Sequence, residues 1–232
     1  MSTDDQKRAA AEHAVSFVAD GMAVGLGTGS TARFAIQALG ARVSSGLHII
    51  GVPTSEETAR IATSLGIPLT TLADRPELEL AIDGADEVDP QLNCIKGRGG
   101  ALLREKIVAR AAARFVVIVD ENKRVSRLGK SAPLPVEIIP FGWTSTRTRL
   151  EVLGLTCELR GGETPYQTAN GNYILDCHVP ASVDLAAGPL DTSIKVQTGV
   201  VDHGLFLGMA TAVVVGKKSG GVEVLHRPPK GY

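Results

Sequence analysis

The alternation of strand and helix patterns in the first half of the chain is the feature that most limits its fold. Short apolar runs at residues 22–26 and 48–52 have the composition of buried strands, and helical spacing of apolar residues follows each. The second helix opens at a capping-box match, TSEE at residues 54–57. Further strands are predicted at 78–83 and 115–119. This order is typical of βαβ units with a parallel sheet and right-handed crossovers.

The second half of the chain differs from the first, because prolines become frequent and the regular alternation of strand and helix patterns stops. We therefore predict an α/β protein in which a smaller α+β domain, residues 130–202, is inserted into a Rossmann-like domain. The Rossmann-like domain has a mostly parallel sheet and comprises residues 1–129 plus 203–232. The apolar runs 205–215 and 222–225 are predicted to be strands that rejoin the main sheet.

The composition excludes several classes of partner. The chain has 232 residues, 44% of them hydrophobic and 21% charged, with a net charge of −1 at pH 7. It therefore has no basic field that would attract nucleic acid or an anionic membrane surface. Three cysteines without Cys-x-x-Cys spacing predict no disulfide framework and a reducing compartment. No apolar signal segment opens the sequence, so we expect a cytoplasmic protein.

A glycine-rich loop, GLGTGST at residues 25–31, follows the first strand. A dinucleotide-binding interpretation is weak, since Ser30 replaces the third fingerprint glycine and no acid ends the next strand. A Walker A motif is absent. Hydroxyl groups and backbone N–H groups at a helix N-terminus instead favour a site for one phosphate. The alternative is a tight strand-helix turn with a serine N-cap.

An acidic segment, IDGADEVD at residues 82–89, follows the strand predicted at 78–83. Its spacing does not match an EF-hand, and the scattered histidines do not support a zinc site, whereas magnesium stays conceivable. We expect Glu87 and Asp89 to belong to a solvated turn. Asp83 and Asp86 are stronger candidates for a functional role because they lie at the strand end.

A third loop, KGRGG at residues 96–100, leads into a helix. Lys96 is a candidate for binding an anion or a developing oxyanion. Glu105 lies on a mostly apolar helical stripe, so it is either partly buried, with raised proton affinity, or a rim residue beside a base. Because ligands bind beyond the carboxyl ends of parallel strands, we expect all three loops at one edge of the sheet.

The three loops, in this order and spacing, resemble ribose-5-phosphate isomerase of type A. The matching segments are GLGTGSTA, IDGADEVD and KGRGGALLREK, and further similarity lies in GVPTSEETA, LPVEIIP, GNYILD and GVVDHGLFLGMA. The resemblance implies interconversion of ribose 5-phosphate and ribulose 5-phosphate, in the non-oxidative branch of the pentose phosphate pathway, without a metal or organic cofactor. It also implies a homodimer or homotetramer.

The resemblance also implies roles for individual residues. Glu105 would be the catalytic base, with Asp83, Asp86 and Lys96 assisting. Substrate would be contacted by Thr28, Gly29, Ser30, Thr31, Asp83, Gly84, Ala85, Asp86, Lys96, Gly97, Arg98, Gly99 and Lys123. Arg98 replaces a glycine of some members, so we expect only its backbone to line the site. Two alternatives stay open: a non-catalytic sugar-phosphate sensor, and an acyl-CoA transferase with Glu105 as nucleophile.

Overall fold

The computed structural model describes residues 1–186 and 189–227. The strands in this part of the chain are β1 Ala23–Leu26, β2 Ile50–Pro53, β3 Leu78–Gly84, β4 Glu87–Val88, β5 Cys94–Ile95, β6 Ala112–Asp120, β7 Leu134–Ile138, β8 Thr156–Leu159, β9 Tyr173–His178, β10 Val200–His203, β11 Leu205–Phe206, β12 Ala212–Gly216 and β13 Val222–His226. The helices are α1 Thr3–Val15, α2 Ser30–Ser44, α3 Glu56–Ser64, α4 Leu102–Ala111, α5 Trp143–Val152 and α6 Leu190–Lys195, and a 3-10 helix, Glu121–Lys123, follows β6. The predicted α/β class is confirmed.

The chain forms two compact units. Unit 1 comprises Met1–Ala85, Arg104–Arg124 and the chain from Gly208 onward, and unit 2 comprises Asp86–Leu103 and Val125–Leu207. Relative to the predicted boundaries, the main difference is that the segment from Asp86 to Leu103 belongs to the smaller unit. The physical reason is that β4 and β5 pair with β11 in a sheet of their own. Residues 228–232, predicted to belong to the main domain, lie outside the described residues.

Unit 1 is built on a six-stranded sheet in the order β13-β12-β6-β3-β1-β2. All neighbours are parallel except β12 and β13. The central strands are buried along most of their length, and α1 and α2 pack on them through small and branched apolar side chains. The prediction of one strand over residues 205–215 is wrong in part, because only β12 joins this sheet and β11 belongs to unit 2.

The start of α3 lies one residue later than the predicted capping box. Ser55, rather than Thr54, is the N-cap, and its hydroxyl accepts a hydrogen bond from the N–H of Thr58. Thr54 is buried, and its hydroxyl donates to the carbonyl of Leu26 (3.0 Å) at the end of β1. A hydroxyl that is engaged by the neighbouring strand cannot serve the helix end, so the cap moves to the next serine.

Unit 2 contains two antiparallel sheets, in the orders β10-β7-β9-β8 and β11-β5-β4. Its apolar core includes side chains from both sheets and from α5 and α6. Cys157 and Cys177 face each other across β8 and β9 and are joined as a disulfide, whereas Cys94 is a buried free thiol. The expectation of no disulfide is wrong for this pair. The register of β8 and β9 places the two cysteines opposite each other, although their spacing in sequence matches no motif.

Among residues 1–186 and 189–227, no helix has both the length and the apolar content of a membrane span.

Candidate active site

Three neighbouring parallel strands of unit 1 end at the same edge of the sheet. The glycine-rich loop follows β1, Asp83 and Gly84 end β3, and Lys123 comes directly after β6. The prediction of a shared edge is therefore confirmed for the first two loops. KGRGG follows β5 in the separate three-stranded sheet of unit 2, so the strand order from which its place at this edge was predicted does not hold for this loop.

The glycine-rich loop lies against the end of β3 because its glycines have no side chains. The N–H of Gly27 donates to the carbonyl of Ile82 (3.0 Å), and a Cβ on Gly27 would collide with the carboxyl group and Cα of Asp83. A Cβ on Gly25 would likewise collide with Val108 of α4. These two positions therefore require glycine for close approach of β1 to β3 and α4.

The Thr28 hydroxyl belongs to a cluster of hydroxyl groups within unit 1. It donates to Oγ of Ser55 (2.9 Å) and lies 2.7 Å from Oγ1 of Thr54. Thr58 completes the cluster by donating to the carbonyl of Gly27 (2.8 Å). The cluster ties the glycine-rich loop to the start of α3, so the side chain of Thr28 contributes to the shape of the loop.

The N-terminus of α2 has no side-chain cap, which excludes the alternative of a serine-capped turn. Gly29 is the N-cap, with φ of 101°, and Ser30 is the first helical residue. Both are exposed, and Thr31 is partly buried. Thr31 lies next to the end of β3, since a Cβ on Gly84 would be 3.6 Å from that of Thr31. Uncapped N–H groups at a helix start are a typical binding site for an anion.

Lys7 of α1 is a residue that sequence reasoning missed. Its ammonium group donates to Oγ of Ser30 (3.1 Å) and lies 3.5 Å from a carboxylate oxygen of Asp4. It thereby adds a positive charge to the N-terminus of α2. No local pattern indicated this role, because the contact joins two helices whose paired residues are 23 positions apart in sequence.

Asp83 is buried at the end of β3, and its carboxylate is held by backbone groups on both sides. Its Oδ1 accepts hydrogen bonds from the N–H of Thr28 (3.1 Å) and from the N–H of Gly84 (2.7 Å). These bonds connect the glycine-rich loop to the acidic segment. The Asp83 carboxylate is therefore held in one position. It lies at the edge of the sheet where α2 begins without a side-chain cap.

Glu105 lies in the first turn of α4 and is only 5% exposed. It lines a narrow cleft of unit 1, too small to hold a water molecule, together with Gly27, Asp83 and Val108. Of the two alternatives for its environment, the structure therefore supports the buried carboxylate rather than the rim residue. Gly27 and Asp83, with which it shares the cleft, are the residues at which β1 approaches β3.

Unit 2 carries Asp86 and the KGRGG loop, and the two are bonded to each other. Oδ2 of Asp86 accepts a hydrogen bond from the backbone N–H of Arg98 (3.0 Å), whose side chain is exposed. Lys96 is buried, its N–H donates to the carbonyl of Gly204 (2.9 Å), and its ammonium group lies 5.5 Å from the ring centre of Phe206. The face of the Phe206 ring attracts the positive charge of this ammonium group.

The expectation of a solvated turn at Glu87 is wrong. Glu87 is 1% exposed, and its carboxylate accepts hydrogen bonds from the N–H groups of Gly129 (2.6 Å), Ser131 (2.5 Å) and Ala132 (2.8 Å). The hydroxyl of Ser131 adds a fourth bond (2.9 Å). The acid thus organises a loop 42 to 45 residues away in sequence, which no local pattern could indicate.

Asp89 is also buried rather than solvated. Its carboxylate accepts hydrogen bonds from the N–H groups of Gln91 (2.9 Å) and Asn93 (2.8 Å) and from the side-chain amide of Asn93 (2.9 Å). It closes the turn between β4 and β5 from the inside, where Leu92 adopts a positive φ of 60°. Asp89 is therefore a turn residue, as predicted, but one that water does not reach.

The fold and the residues at the sheet edge of unit 1 define an α/β protein of the Rossmann-like class with two buried carboxylates, Asp83 and Glu105, and an uncapped helix N-terminus. The model of the family "Ribose 5-phosphate isomerase A (phosphoriboisomerase A)" matches residues 50–220. The ribose-5-phosphate isomerase A of Roseiflexus castenholzii is 53% identical over 224 residues, which cover 94% of each chain. A probable chloroplastic ribose-5-phosphate isomerase 3 of Arabidopsis thaliana is 48% identical over 98% of this chain and 85% of that protein.

Solved structures agree with these relatives. The ribose 5-phosphate isomerase of Plasmodium falciparum superposes with a TM-score of 0.92 at 37% identity, covering 97% of this chain and 100% of the other. A D-ribose-5-phosphate isomerase in complex with phospho-erythronic acid superposes with a TM-score of 0.91 at 40% identity, over 98% and 100% of the two chains. The chain belongs to the ribose 5-phosphate isomerase A family. It is an isomerase that interconverts ribose 5-phosphate and ribulose 5-phosphate.

Proposed function

We propose that the isomerisation proceeds through an enediolate, with Glu105 as the base that moves the carbon-bound proton. An aldose-ketose isomerase must remove the proton from C2 of the open-chain aldose and deliver a proton to C1. One carboxylate can perform both steps in turn. The observation that carries this proposal is the burial of the Glu105 carboxylate in the first turn of α4. A buried base is protected from competing protonation by bulk water.

The experiment that tests this proposal measures turnover and binding in Glu105→Gln. The glutamine keeps the size of the side chain but cannot take a proton, so turnover falls by about 10²–10⁴-fold while ribose 5-phosphate still binds. Glu12→Gln, an exposed position on α1, is the matched control and keeps wild-type turnover. Near-wild-type turnover in Glu105→Gln refutes the assignment of the base.

We propose that the substrate phosphate binds at the N-terminus of α2, on the backbone N–H groups of residues 29–31 and the hydroxyls of Ser30 and Thr31. The absence of a side-chain cap at this helix start and the ammonium group of Lys7 on Ser30 support this placement. Lys123, at the same edge of the sheet, is proposed as a further contact. Thr28 would contribute by holding the loop in place, since its hydroxyl belongs to the cluster with Thr54 and its N–H donates to Asp83.

The phosphate proposal is tested by Lys7→Met. Loss of one charge-assisted contact raises KM by about tenfold or more and changes kcat little, because the phosphate binds equally in ground and transition states. Lys218→Met, an exposed lysine of the same unit, is the control. An unchanged KM in Lys7→Met excludes Lys7 as a phosphate contact.

Lys96 is proposed to stabilise the negative charge of the enediolate, with the backbone of residues 97–99 and Asp86 as further substrate contacts. A positioned donor of this kind contributes about 3–4 kcal/mol in the transition state. Asp83 and Asp86 are both proposed to serve the sugar hydroxyls, and ring opening is assigned to either of them. The homodimer or homotetramer and the cytoplasmic location stay predictions; light scattering on the purified protein measures the assembly.

A further inference from the structure

Arg160, at the end of β8 in unit 2, connects a carboxylate to the backbone of the KGRGG loop. Its Nε and Nη2 donate to the two carboxylate oxygens of Asp176 (2.8 and 2.5 Å). Its Nη1 donates to the carbonyls of Gly97 (3.0 Å) and Arg98 (3.1 Å). The guanidinium group of Arg160 therefore donates hydrogen bonds through all three of its nitrogens. Two of them pair with the Asp176 carboxylate, and the third binds two consecutive peptide carbonyls.

Tyr166 covers the same loop from the other end. A Cβ on Gly100 would overlap the Tyr166 ring and its hydroxyl oxygen, so this ring lies directly on the backbone of Gly100. The backbone N–H of Tyr166 donates to the carbonyl of Arg160 (2.9 Å), and the guanidinium carbon lies 5.9 Å from the centre of the Tyr166 ring. We name Arg160, Tyr166 and Asp176 the loop clamp.

The loop needs external support because its own sequence leaves the backbone free. Three of the five residues in KGRGG are glycines. Gly97 and Gly100 have φ of 111° and 79°, and a Cβ on Gly99 would meet nothing within 4 Å. Glycine loses more conformational freedom on folding than any other residue. Two peptide carbonyls held by a paired guanidinium restrict this loop strongly.

The ion pair of Arg160 and Asp176 has the geometry and the partial burial needed to restrict the KGRGG loop. The side chain of Arg160 is 17% exposed and that of Asp176 is 22% exposed, so solvent screening is weaker than for a surface pair. The bidentate contact with Asp176 fixes the plane of the guanidinium, and the two N–H groups of Nη1 in that plane point to the loop. Lysine has a single point of charge and cannot reproduce this two-sided contact.

We propose that Arg160, oriented by Asp176, is a positioning residue that holds the KGRGG loop in the conformation in which Lys96 and the backbone of residues 97–99 meet the substrate. This inference rests on the proposed role of that loop. Arg160 touches the loop backbone and acts on the reaction through it. Reacting groups must be held within a fraction of an ångström, and a displacement of about 1 Å costs about 10²-fold in rate.

The test is a double-variant cycle with Arg160→Met and Lys96→Met, with kcat and KM measured for ribose 5-phosphate. Arg160→Met lowers kcat/KM by about 10- to 100-fold. The double variant loses much less than the product of the two single losses, because a displaced loop has already lost the contribution of Lys96. Arg149→Met is the matched control, since Arg149 donates to the carbonyl of Thr198 (2.7 Å) elsewhere in unit 2. It keeps wild-type kcat/KM.

Each result decides between the clamp and its alternatives. If Lys96→Met is impaired and folded Arg160→Met stays within about twofold of wild type, the clamp has no positioning role. If both are impaired but their effects multiply, Arg160 acts independently of Lys96, which also overturns the proposal. If Lys96→Met is fully active, the proposed role of the KGRGG loop is wrong, and the positioning role of the loop clamp is wrong as well. If Arg160→Met does not fold, Arg160→Lys replaces it in the same cycle, with the same criteria.

Discussion

Unit 1 and unit 2 use their buried polar residues in different ways. In unit 1, Asp83 lies at the end of the parallel strand β3, and Glu105 lies in the first turn of α4. In unit 2, Glu87 and Glu137 accept hydrogen bonds from distant loops, and both are structural supports. In unit 1, the position of an acid relative to the sheet is therefore what suggests its proposed role. In unit 2 only its hydrogen-bond partners do so.

Glu137 is a buried acid of unit 2 that supports a distant turn through its hydrogen bonds. It is completely buried on β7, and one carboxylate oxygen accepts bonds from the side chains of Thr168 (3.0 Å), Asn170 (3.1 Å) and Asn172 (2.8 Å). These donors lie in the turn before β9, 31 to 35 residues away in sequence. Such an acid supports a turn that has few apolar residues of its own.

The largest expected effect that separates the two units is the loss of stability in Glu87→Ala. The substitution removes a buried carboxylate that accepts four hydrogen bonds from the loop at residues 129–132, which costs about 4 kcal/mol of unfolding free energy. Urea denaturation measures this loss. Glu163→Ala, at an exposed position of the same unit, changes stability by less than about 0.5 kcal/mol. Equal stabilities of the two variants would show that Glu87 is not a structural support.

Reduction of the disulfide between Cys157 and Cys177 is expected to have the next largest effect. The bond closes a loop with a sequence separation of 20, which corresponds to about 3 kcal/mol of chain entropy in the unfolded state. Thermal unfolding with and without reductant measures it, and a Cys157→Ser/Cys177→Ser double variant is insensitive to reductant. Three free thiols in the unreduced protein, counted by alkylation and mass spectrometry, contradict this pairing.

In unit 1, Gly27→Ala is expected to cost about 2 kcal/mol and to lower turnover as well, since the new methyl group displaces Asp83. Gly46→Ala is the control in the same unit. Its φ is also unfavourable for alanine, at 100°, but its Cβ would meet nothing within 4 Å. It therefore costs about 1 kcal/mol of backbone strain and leaves turnover unchanged. If the two variants behave alike, close approach at Gly27 does not position Asp83.

The smallest expected effect is that of Asp5→Asn at the start of α1. The hydrogen bond from the Ser2 side chain, more than any other contact, lowers the pKa of Asp5 below its usual value of 3.8. Its contribution to stability is therefore present above about pH 4 and is lost as the pH falls through the lowered pKa. The difference in Tm between wild type and variant shrinks between pH 6 and pH 3. Glu12→Gln, on the same helix, is the control.

The sequence was sufficient to predict what local patterns determine. The strands β1, β3 and β6, the start of α2 after the glycines, and the place of Asp83 at the end of β3 follow from periodicity and strand polarity. The pairing of β4 and β5 with β11, the burial of Glu87, the disulfide and the contact of Lys7 with Ser30 depend on partners far along the chain. No window of sequence contains both partners, so these features required the structure.

The identity of the base is the central claim, and exchange of the C2 hydrogen of ribose 5-phosphate with solvent tests it most directly. In D₂O, the wild-type enzyme replaces this hydrogen by deuterium, which proton NMR follows as loss of the C2–H signal. In Glu105→Gln the account predicts binding of ribose 5-phosphate with exchange slowed by about 10²-fold or more. Exchange at the wild-type rate in this variant would show that another group removes the proton.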